Sequence, residues 1–258
     1  MNTYETLIVE KQETWAEITV NRPEVLNAIN LQVVKDLSAA LDALAGDEDV
    51  RGLILKGAGD KAFVAGADIG ELVKRTREDA LLAINAGAFQ KIEDFPWPTI
   101  AVIKGYALGG GCELSLACDI RLGAPSAQMG QPEVGLGIIP GAGAPHRLTR
   151  QVGPGMAREL IYTGKIIDAE EALRIGLLNH VHPEDEVLEA AREMMRTISK
   201  KSPGAVRVAK LALNAAVNTV DRRSQYIEIL GQGLLFDAED QKSRMTRFLE
   251  RKKKREQK

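Results

Sequence analysis

Residues 105–114 read Gly-Tyr-Ala-Leu-Gly-Gly-Gly-Cys-Glu-Leu. Three consecutive glycines stand directly before residues with helical spacing, so a turn of unusual backbone freedom leads into a helix. The first N–H groups of that helix have no partner within it and attract an oxygen that gains negative charge. A tight turn that needs glycine only for packing fits the same residues. Glu113 favours the functional interpretation, because an acid among apolar neighbours usually has a chemical role.

Two further segments combine small residues with an acid. Residues 130–143, Gly-Gln-Pro-Glu-Val-Gly-Leu-Gly-Ile-Ile-Pro-Gly-Ala-Gly, hold Glu133 among apolar residues and glycines. Residues 65–68, Ala-Gly-Ala-Asp, follow a strand-like run and precede helical sequence. One exposed N–H in this second segment would add a donor to that of the triple glycine. A plain strand-to-helix connection capped by Asp68 explains the segment equally well.

The two acids are candidates for proton transfer. Two carboxyls in a shared apolar pocket tend to split their pKa values, so that one donates a proton while the other accepts one. The sequence leaves open whether Glu113 and Glu133 meet.

The hydrophobic pattern predicts an α/β chain. Apolar residues alternate at period two in residues 16–20, recur at helical spacing in residues 31–45 and form a short strand-like run at residues 53–55. Strand-like and helix-like segments continue to alternate through the first two thirds of the chain. Beyond Pro154 the pattern predicts helices almost throughout, the last of them around Gln225–Leu235.

The composition excludes several classes of protein. The 258 residues carry a net charge of −2, too balanced for an extended nucleic-acid surface. No apolar run reaches the roughly 18 residues of a membrane helix, and the first residues do not resemble an export signal. Cys112 and Cys118, with only three histidines, support neither a zinc site nor a disulfide scaffold. We therefore expect a cytoplasmic protein without a metal.

One further segment resembles a nucleotide-binding loop. Residues 57–62, Gly-Ala-Gly-Asp-Lys-Ala, match a loose dinucleotide fingerprint after a predicted strand. The fingerprint requires a helix at its end, whereas residues 63–66, Phe-Val-Ala-Gly, are predicted to continue as extended chain. The context therefore argues against this function.

Three blocks of the sequence resemble the enoyl-CoA hydratase, or crotonase, family. They are Phe-Val-Ala-Gly-Ala-Asp-Ile at residues 63–69, the segment 105–114, and Gly-Gln-Pro-Glu with Ile-Pro-Gly-Ala-Gly at residues 130–143. Their order and spacing match over essentially the whole chain, most closely the short-chain hydratases. The resemblance implies a spiral of repeated β-β-α units over residues 1–195. It also implies a helical C-terminal region, 196–258, that closes the site and builds trimers or hexamers.

The resemblance assigns roles position by position. The N–H groups of Ala67 and Gly110 match the oxyanion-hole donors that polarise the thioester carbonyl of an acyl-CoA, and Glu113 and Glu133 match the two catalytic glutamates. Further positions match residues that contact substrate or coenzyme A: Arg22, Leu26, Ala65, Gly66, Asp68, Ile69, Gly109, Pro132 and Gly141. Arg22 fits an ordinary surface cation equally well. No cofactor is implied beyond the coenzyme A of the substrate.

The implied reaction is reversible addition of water to a trans-2-enoyl-CoA, giving a (3S)-3-hydroxyacyl-CoA, in fatty-acid or amino-acid degradation. An isomerase of the same family is the nearest alternative, but it needs only one of the two acids. Some relatives bind RNA, and the basic tail Arg251–Lys258 offers phosphate contacts. The balanced charge and the few aromatic residues argue against that partner.

Two segments depart from the family pattern. Ala-Pro-His-Arg at residues 144–147 stands where relatives have Gly-Thr-Gln-Arg or a similar sequence, and His146 receives no catalytic role. Arg247, Phe248 and Lys252 match a region in which a neighbouring subunit closes over the coenzyme. The usual proline-containing ending is replaced here by an unbroken basic run, which puts those contacts in doubt.

Overall fold

A computed structural model describes residues 3–74 and 83–218, with side chains described as far as residue 216. The chain divides into two compact units, Met1–Arg196 and Thr197–Lys258. The first unit contains both sheets described below. In the second unit the described residues run as far as residue 218 and contain one long helix, Pro203–Asn218.

In chain order the strands are β1 (Leu7–Lys11), β2 (Ala16–Val20), β3 (Leu53–Gly57), β4 (Ala62–Val64), β5 (Thr99–Ile103), β6 (Tyr106–Leu108), β7 (Ile120–Gly123), β8 (Gln128–Gly130), β9 (Ile166–Asp168) and β10 (His180–Val181). They form a six-stranded sheet of order β1-β2-β3-β5-β7-β10 and a four-stranded sheet of order β4-β6-β8-β9. The pairs β1–β2 and β8–β9 are antiparallel. The remaining pairs are parallel.

The helices are α1 (Leu31–Ala45), α2 (Ile69–Leu72), α3 (Ile84–Glu93), α4 (Gly110–Leu116), α5 (Ala144–Val152), α6 (Pro154–Thr163), α7 (Ala169–Arg174), α8 (Val187–Ser199) and α9 (Pro203–Asn218). Two 3₁₀ helices, Pro23–Val25 and Pro132–Leu136, lie in the connecting loops.

From β3 to β8, consecutive strands alternate between the two sheets. Strands β3, β5 and β7 are parallel neighbours in the larger sheet, and β4, β6 and β8 are parallel neighbours in the smaller one. Each β-β turn therefore adds one strand to both sheets before the chain enters a helix or loop. This arrangement is the predicted α/β spiral of β-β-α units, which is thereby confirmed.

Helix α1 shows how the apolar pattern fixes an element. It begins where the Asn30 side chain accepts a hydrogen bond from the N–H of Val33 at 2.9 Å. Its predicted apolar stripe, from Val33 to Leu44, is buried in the core. The helix ends at Gly46, as predicted.

The C-terminal third is less uniformly helical than the sequence indicated. Short strands β9 and β10 lie among its helices, and both are too short for a periodic pattern to reveal. The predicted helix at Gln225–Leu235 lies outside the described residues. Within the described part, no helix is long and apolar enough to cross a membrane.

The segment 105–114 also differs in detail from its prediction. The sequence predicts a turn from Gly105 to Gly111, but residues 106–108 form β6 and α4 begins at Gly110. Gly111 lies against the carbonyl oxygen of Val64 in β4, where a Cβ atom would clash. The missing side chain allows the start of α4 to pack directly on the smaller sheet.

The far end of α4 is held by a buried guanidinium. Arg121 donates to the carbonyl oxygens of Cys118 at 2.7 Å and Leu177 at 2.8 Å, and it is 2% exposed. The bond to Cys118 pairs a carbonyl group just after the end of α4, and the bond to Leu177 connects Arg121 to the segment that follows α7. The helix that carries Glu113 is thus fixed at both ends.

Candidate active site

The backbone of Ala67 is oriented by a single parallel bridge to Ile29. The N–H of Ile29 donates to the carbonyl of Gly66, and the N–H of Asp68 donates to the carbonyl of Ile29, both at 2.8 Å. Because neighbouring peptide groups of an extended chain alternate in direction, the N–H of Ala67 points away from Ile29. It has no acceptor within the described part of the chain.

The N–H of Gly110 lies beside that of Ala67. An ideal Cβ atom built on Gly110 would be 3.8 Å from the amide nitrogen of Ala67, so the two backbones nearly touch. Gly110 is the first residue of α4, and its N–H also has no acceptor among the described residues. The structure thus brings both predicted oxyanion donors together.

Gly109 supplies the backbone turn between β6 and α4. Its backbone dihedral angles, φ 50° and ψ −121°, lie in a region that residues other than glycine rarely adopt. Its N–H donates to Gly130 at 2.9 Å and its carbonyl accepts from Glu113 at 2.9 Å. An ideal Cβ here would lie 3.0 Å from Oε1 of Glu133. Gly109 therefore joins β6 to α4 at the point where the Glu133 carboxyl approaches the backbone.

Glu113 is buried on α4, with 3% of its surface exposed. Its Oε1 accepts hydrogen bonds from the N–H groups of Ala142 at 2.7 Å and Ala144 at 3.0 Å. Burial raises the pKa of Glu113, and these N–H groups together with the charge of Arg147 oppose the rise. Oε2 accepts no bond within the described part of the chain. One carboxylate oxygen is therefore held and the other is available.

Glu133 stands in the first turn of the 3₁₀ helix Pro132–Leu136 and is half-buried. Burial raises its pKa to about 7, and the negative charge of Glu113 adds to the rise. The two acids interact electrostatically, so they share one site. Near neutral pH Glu133 carries a proton for part of the time, which makes it able to donate one.

Gln131 is a site residue that the sequence interpretation missed. Its side chain is completely buried, and its amide nitrogen, turned toward Glu133, lies 3.0 Å from Oε1 and 3.2 Å from Oε2 of that carboxyl. The only signal in the sequence is its place two residues before Glu133. A buried amide beside a carboxyl limits the orientations that the carboxyl can take.

The loop that carries Arg22 and Leu26 borders the same region. Arg22 donates to the carbonyl of Ala28 at 2.6 Å and to the carboxylate of Asp68 at 3.1 Å. The carbonyl of Leu26 accepts from the N–H of Ala65 at 3.1 Å. Arg22 therefore helps to hold this loop against residues 65–68, which are called the oxyanion segment below. Its side chain is partly buried, so it is not a free surface cation.

The remaining predicted residues lie around this centre. Asp68 caps α2 by accepting a 3.0 Å bond from the N–H of Gly70, as expected for a strand-to-helix connection. Ile69 is 57% exposed. Pro132 directly precedes Glu133, and Gly141 directly precedes Ala142, which binds Glu113. Outside the described residues lie Arg247, Phe248 and the tail Arg251–Lys258, which includes Lys252.

His146 and Cys112 lie near the site without a catalytic arrangement. His146 is an exposed residue of α5. Partial desolvation of its ring, together with the positive charges of the neighbouring arginines, lowers its pKa. Cys112 is buried, and burial raises its pKa to about 12. In residues 3–74 and 83–218 no group of three His, Cys, Asp or Glu side chains could hold a metal ion.

The arrangement contains the groups needed to transfer protons beside an oxygen that gains negative charge. Two N–H groups on adjacent backbones have no acceptor among the described residues, one carboxyl accepts bonds from backbone N–H groups, and a second has a pKa near neutrality. Such parts stabilise an enolate while one acid gives and the other takes a proton.

Comparisons with known proteins place this arrangement in context. Residues 10–258 match the enoyl-CoA hydratase/isomerase family. The chain is 44% identical to a crotonyl-CoA hydratase of Syntrophomonas wolfei, with 97% of each chain covered. It is 43% identical to a short-chain-enoyl-CoA hydratase of Clostridium acetobutylicum, covering 96% of this chain and 95% of the relative.

Solved structures agree with the sequence comparison. The fold superposes on the enoyl-CoA hydratase of Bacillus anthracis with a TM-score of 0.92 at 36% identity, covering 96% of this chain and 97% of that one. The chain belongs to the enoyl-CoA hydratase/isomerase family.

Proposed function

We propose that this enzyme is a short-chain enoyl-CoA hydratase that adds water reversibly to a trans-2-enoyl-CoA and forms a (3S)-3-hydroxyacyl-CoA. Family membership and the names of the two relatives support the reaction class. The observation that carries the proposal is the pair of glutamates with different environments, beside two N–H groups that have no acceptor among the described residues.

The thioester carbonyl is placed between the N–H groups of Ala67 and Gly110. When water adds at the β carbon, negative charge moves to this oxygen as an enolate. Hydrogen bonds to the enolate are stronger than those to the neutral carbonyl, so they lower the barrier. Loss of one such donor costs on the order of 10²–10³ in rate in enzymes of this kind.

The glutamates divide the protons of the water addition. Glu113, held through Oε1, takes a proton from water through Oε2 while the hydroxyl group bonds to the β carbon. Glu133 donates its proton to the α carbon as the enolate collapses. The proton on Glu133 has been replaced by one on Glu113, and the substrate has gained the elements of water. No electrons are transferred, so the reaction calls for no redox cofactor.

Coenzyme A is proposed to lie along the loop of Arg22 and Leu26. This loop is bonded to the oxyanion segment through Ala65 and Asp68. A coenzyme seated there enters the site on the side where the thioester carbonyl is held. Ala65, Gly66, Ile69, Gly109, Pro132 and Gly141 are the further proposed contacts.

We also propose that the chain works in the cytoplasm as a homotrimer or a hexamer. The family resemblance supports this assembly. Light scattering on the purified protein tests it, since the mass must equal that of three or six chains.

Loss of the conjugated-enoyl absorbance of crotonyl-CoA tests the reaction. Wild type is expected to hydrate it rapidly, and folded Glu113→Gln and Glu133→Gln variants are each expected to lose at least about 10²-fold in kcat. A 3-enoyl-CoA, assayed in parallel, tests the isomerase alternative. Faster conversion of the 3-enoyl substrate, or no hydration of short and medium chains, would refute the proposal.

A further inference from the structure

The guanidinium of Arg147 is buried beside the loop that binds Glu113, and the residue is 7% exposed. It donates to Oε2 of Glu93 at 2.7 Å, to the side chain of Gln90 at 3.0 Å and to the carbonyl of Ala142 at 3.0 Å. The first two partners belong to α3 and the third to the loop before α5. Arg147 therefore joins α3 to that loop through three directed bonds.

The two peptide groups that flank the Cα atom of Ala142 connect Arg147 to Glu113. Ala142 accepts from Arg147 through its carbonyl and donates from its N–H to Oε1 of Glu113 at 2.7 Å. Ala144 adds a second N–H to the same oxygen at 3.0 Å. Movement of residues 142–144 would therefore move both groups that hold the Glu113 carboxylate.

Gly143 allows the loop to fold closely around the guanidinium. Its φ is 119°, in the left-handed region, and a Cβ atom there would clash with Nη1 of Arg147. Its carbonyl also accepts the N–H of Arg147 at 2.9 Å. The loop is thus shaped by Arg147 from both its backbone and its side chain.

We propose that Arg147 is the positioning residue for Glu113: anchored on Glu93, it holds residues 142–144 so that two N–H groups converge on Oε1. Oε2 is then left in the orientation needed to take a proton from water. The inference rests on the proposed function for the step that Glu113 performs, but the positioning itself is a property of the folded chain.

The charges around Glu113 determine what removal of Arg147 does to its titration. Glu133 from the 3₁₀ helix and Cys112 from α4 interact electrostatically with Glu113, Arg147 from α5 supplies a positive charge, and Glu93 is paired with Arg147. Arg147 is the cation that lowers the pKa of Glu113. His146, whose pKa Arg147 lowers, is exposed on the same helix.

The test compares Arg147→Gln and Arg147→Lys with wild type. In Arg147→Gln we expect kcat to fall about 10–100-fold with little change in KM, because the acid is misplaced while substrate contacts remain. In protein labelled with ¹³C at the glutamate carboxyls, the Glu113 signal, assigned by its loss in Glu113→Gln, is expected to titrate at higher pH. Arg147→Lys retains the charge but not the three bonds, so it is expected to restore the titration and only part of kcat.

Arg192→Gln is the matched control. Arg192 also pairs with an acid, donating to the two carboxylate oxygens of buried Glu17 at 2.7 Å and 3.0 Å, and no bond among the described residues joins that pair to Glu113. It is expected to lower the melting temperature while leaving kcat and the Glu113 titration unchanged. Equal effects in Arg192→Gln and Arg147→Gln would overturn the positioning role.

Unchanged kcat and unchanged Glu113 titration in folded Arg147→Gln would also overturn it. If Arg147→Gln does not fold, Glu93→Gln carries the test, since it keeps Arg147 and the shape of its anchor. A several-fold lower kcat at constant KM is then expected, and wild-type kcat refutes the proposal. If wild type does not hydrate enoyl-CoA, the proposed function fails, and the Glu113 titration alone decides the positioning role.

Discussion

Replacement of Gly109 by alanine is expected to damage the site at its most crowded point. The backbone there has φ 50° and ψ −121°, which costs a residue with a side chain about 1–3 kcal/mol. The new Cβ would lie 3.0 Å from Oε1 of Glu133 and 3.3 Å from its carboxyl carbon. Ordinary contact begins near 3.4 Å, so the carboxyl must move by about 0.4 Å, the difference between 3.4 and 3.0 Å.

The expected loss follows from that displacement. Misplacing a reacting group by about 1 Å costs on the order of 10²-fold in rate, so a shift of a few tenths of an ångström is expected to cost about tenfold. The same substitution strains the peptide that carries the N–H of Gly110, which adds to the loss. We therefore expect kcat for crotonyl-CoA hydration to fall about 10–100-fold.

Gly59→Ala separates strain from displacement. Gly59 also has a positive φ, 72°, but a Cβ atom there meets nothing within 4 Å. Both variants are expected to lower the melting temperature by a similar amount, and only Gly109→Ala to lower kcat. A folded Gly109→Ala with wild-type kcat would refute the geometry, as would an equal loss of kcat in Gly59→Ala.

Three further predictions concern titration and reactivity. In the proposed reaction the two acids share one proton, and Glu133 loses it above its pKa of about 7. Above that pH, kcat/KM for hydration and for dehydration should therefore fall together, about tenfold per pH unit. A flat profile to pH 9 would contradict this. Cys112 is buried and its pKa is raised to about 12, so iodoacetamide at pH 8 should leave the native enzyme active, and rapid inactivation by its alkylation would contradict the burial. Bonds from Arg192 and Lys56 outweigh burial and lower the pKa of Glu17, so its stabilising contribution is present above its unfolded pKa and is lost as pH falls through the lowered folded value. Melting temperature in wild type should therefore fall more steeply below about pH 4 than in Glu17→Gln.

Much of the fold could be predicted because it depends on local patterns. The apolar stripe of α1 is buried as its pattern predicts, and the strand predicted at residues 16–20 is β2, whose five residues are all buried. Strands β9 and β10 escaped prediction because segments of two or three residues carry no periodicity. Their strand conformation depends on pairing with β8 and β7, which are distant in sequence.

The candidate site divides along the same line. The glycine-rich turns and the two acids could be singled out from residue type and neighbours. Gln131 and Arg147 could not, because their roles depend on contacts with side chains and backbone that the chain brings close only on folding. A buried polar side chain has the same one-letter code as an exposed one, and its burial is set by the surrounding elements.

The difference between the two acids is likewise a product of the fold. Glu113 and Glu133 are the same residue type, and burial raises the pKa of each. Their neighbours separate them: the N–H groups of Ala142 and Ala144 and the charge of Arg147 oppose the rise at Glu113. At Glu133 only a backbone bond from its own N–H opposes the rise, and the charge of Glu113 adds to it. The ionised form of Glu113 thus favours the protonated form of Glu133. In the proposed mechanism this difference makes one of two identical side chains the base and the other the acid, and residues 142–144, which Arg147 contacts, are the loop on which that assignment depends.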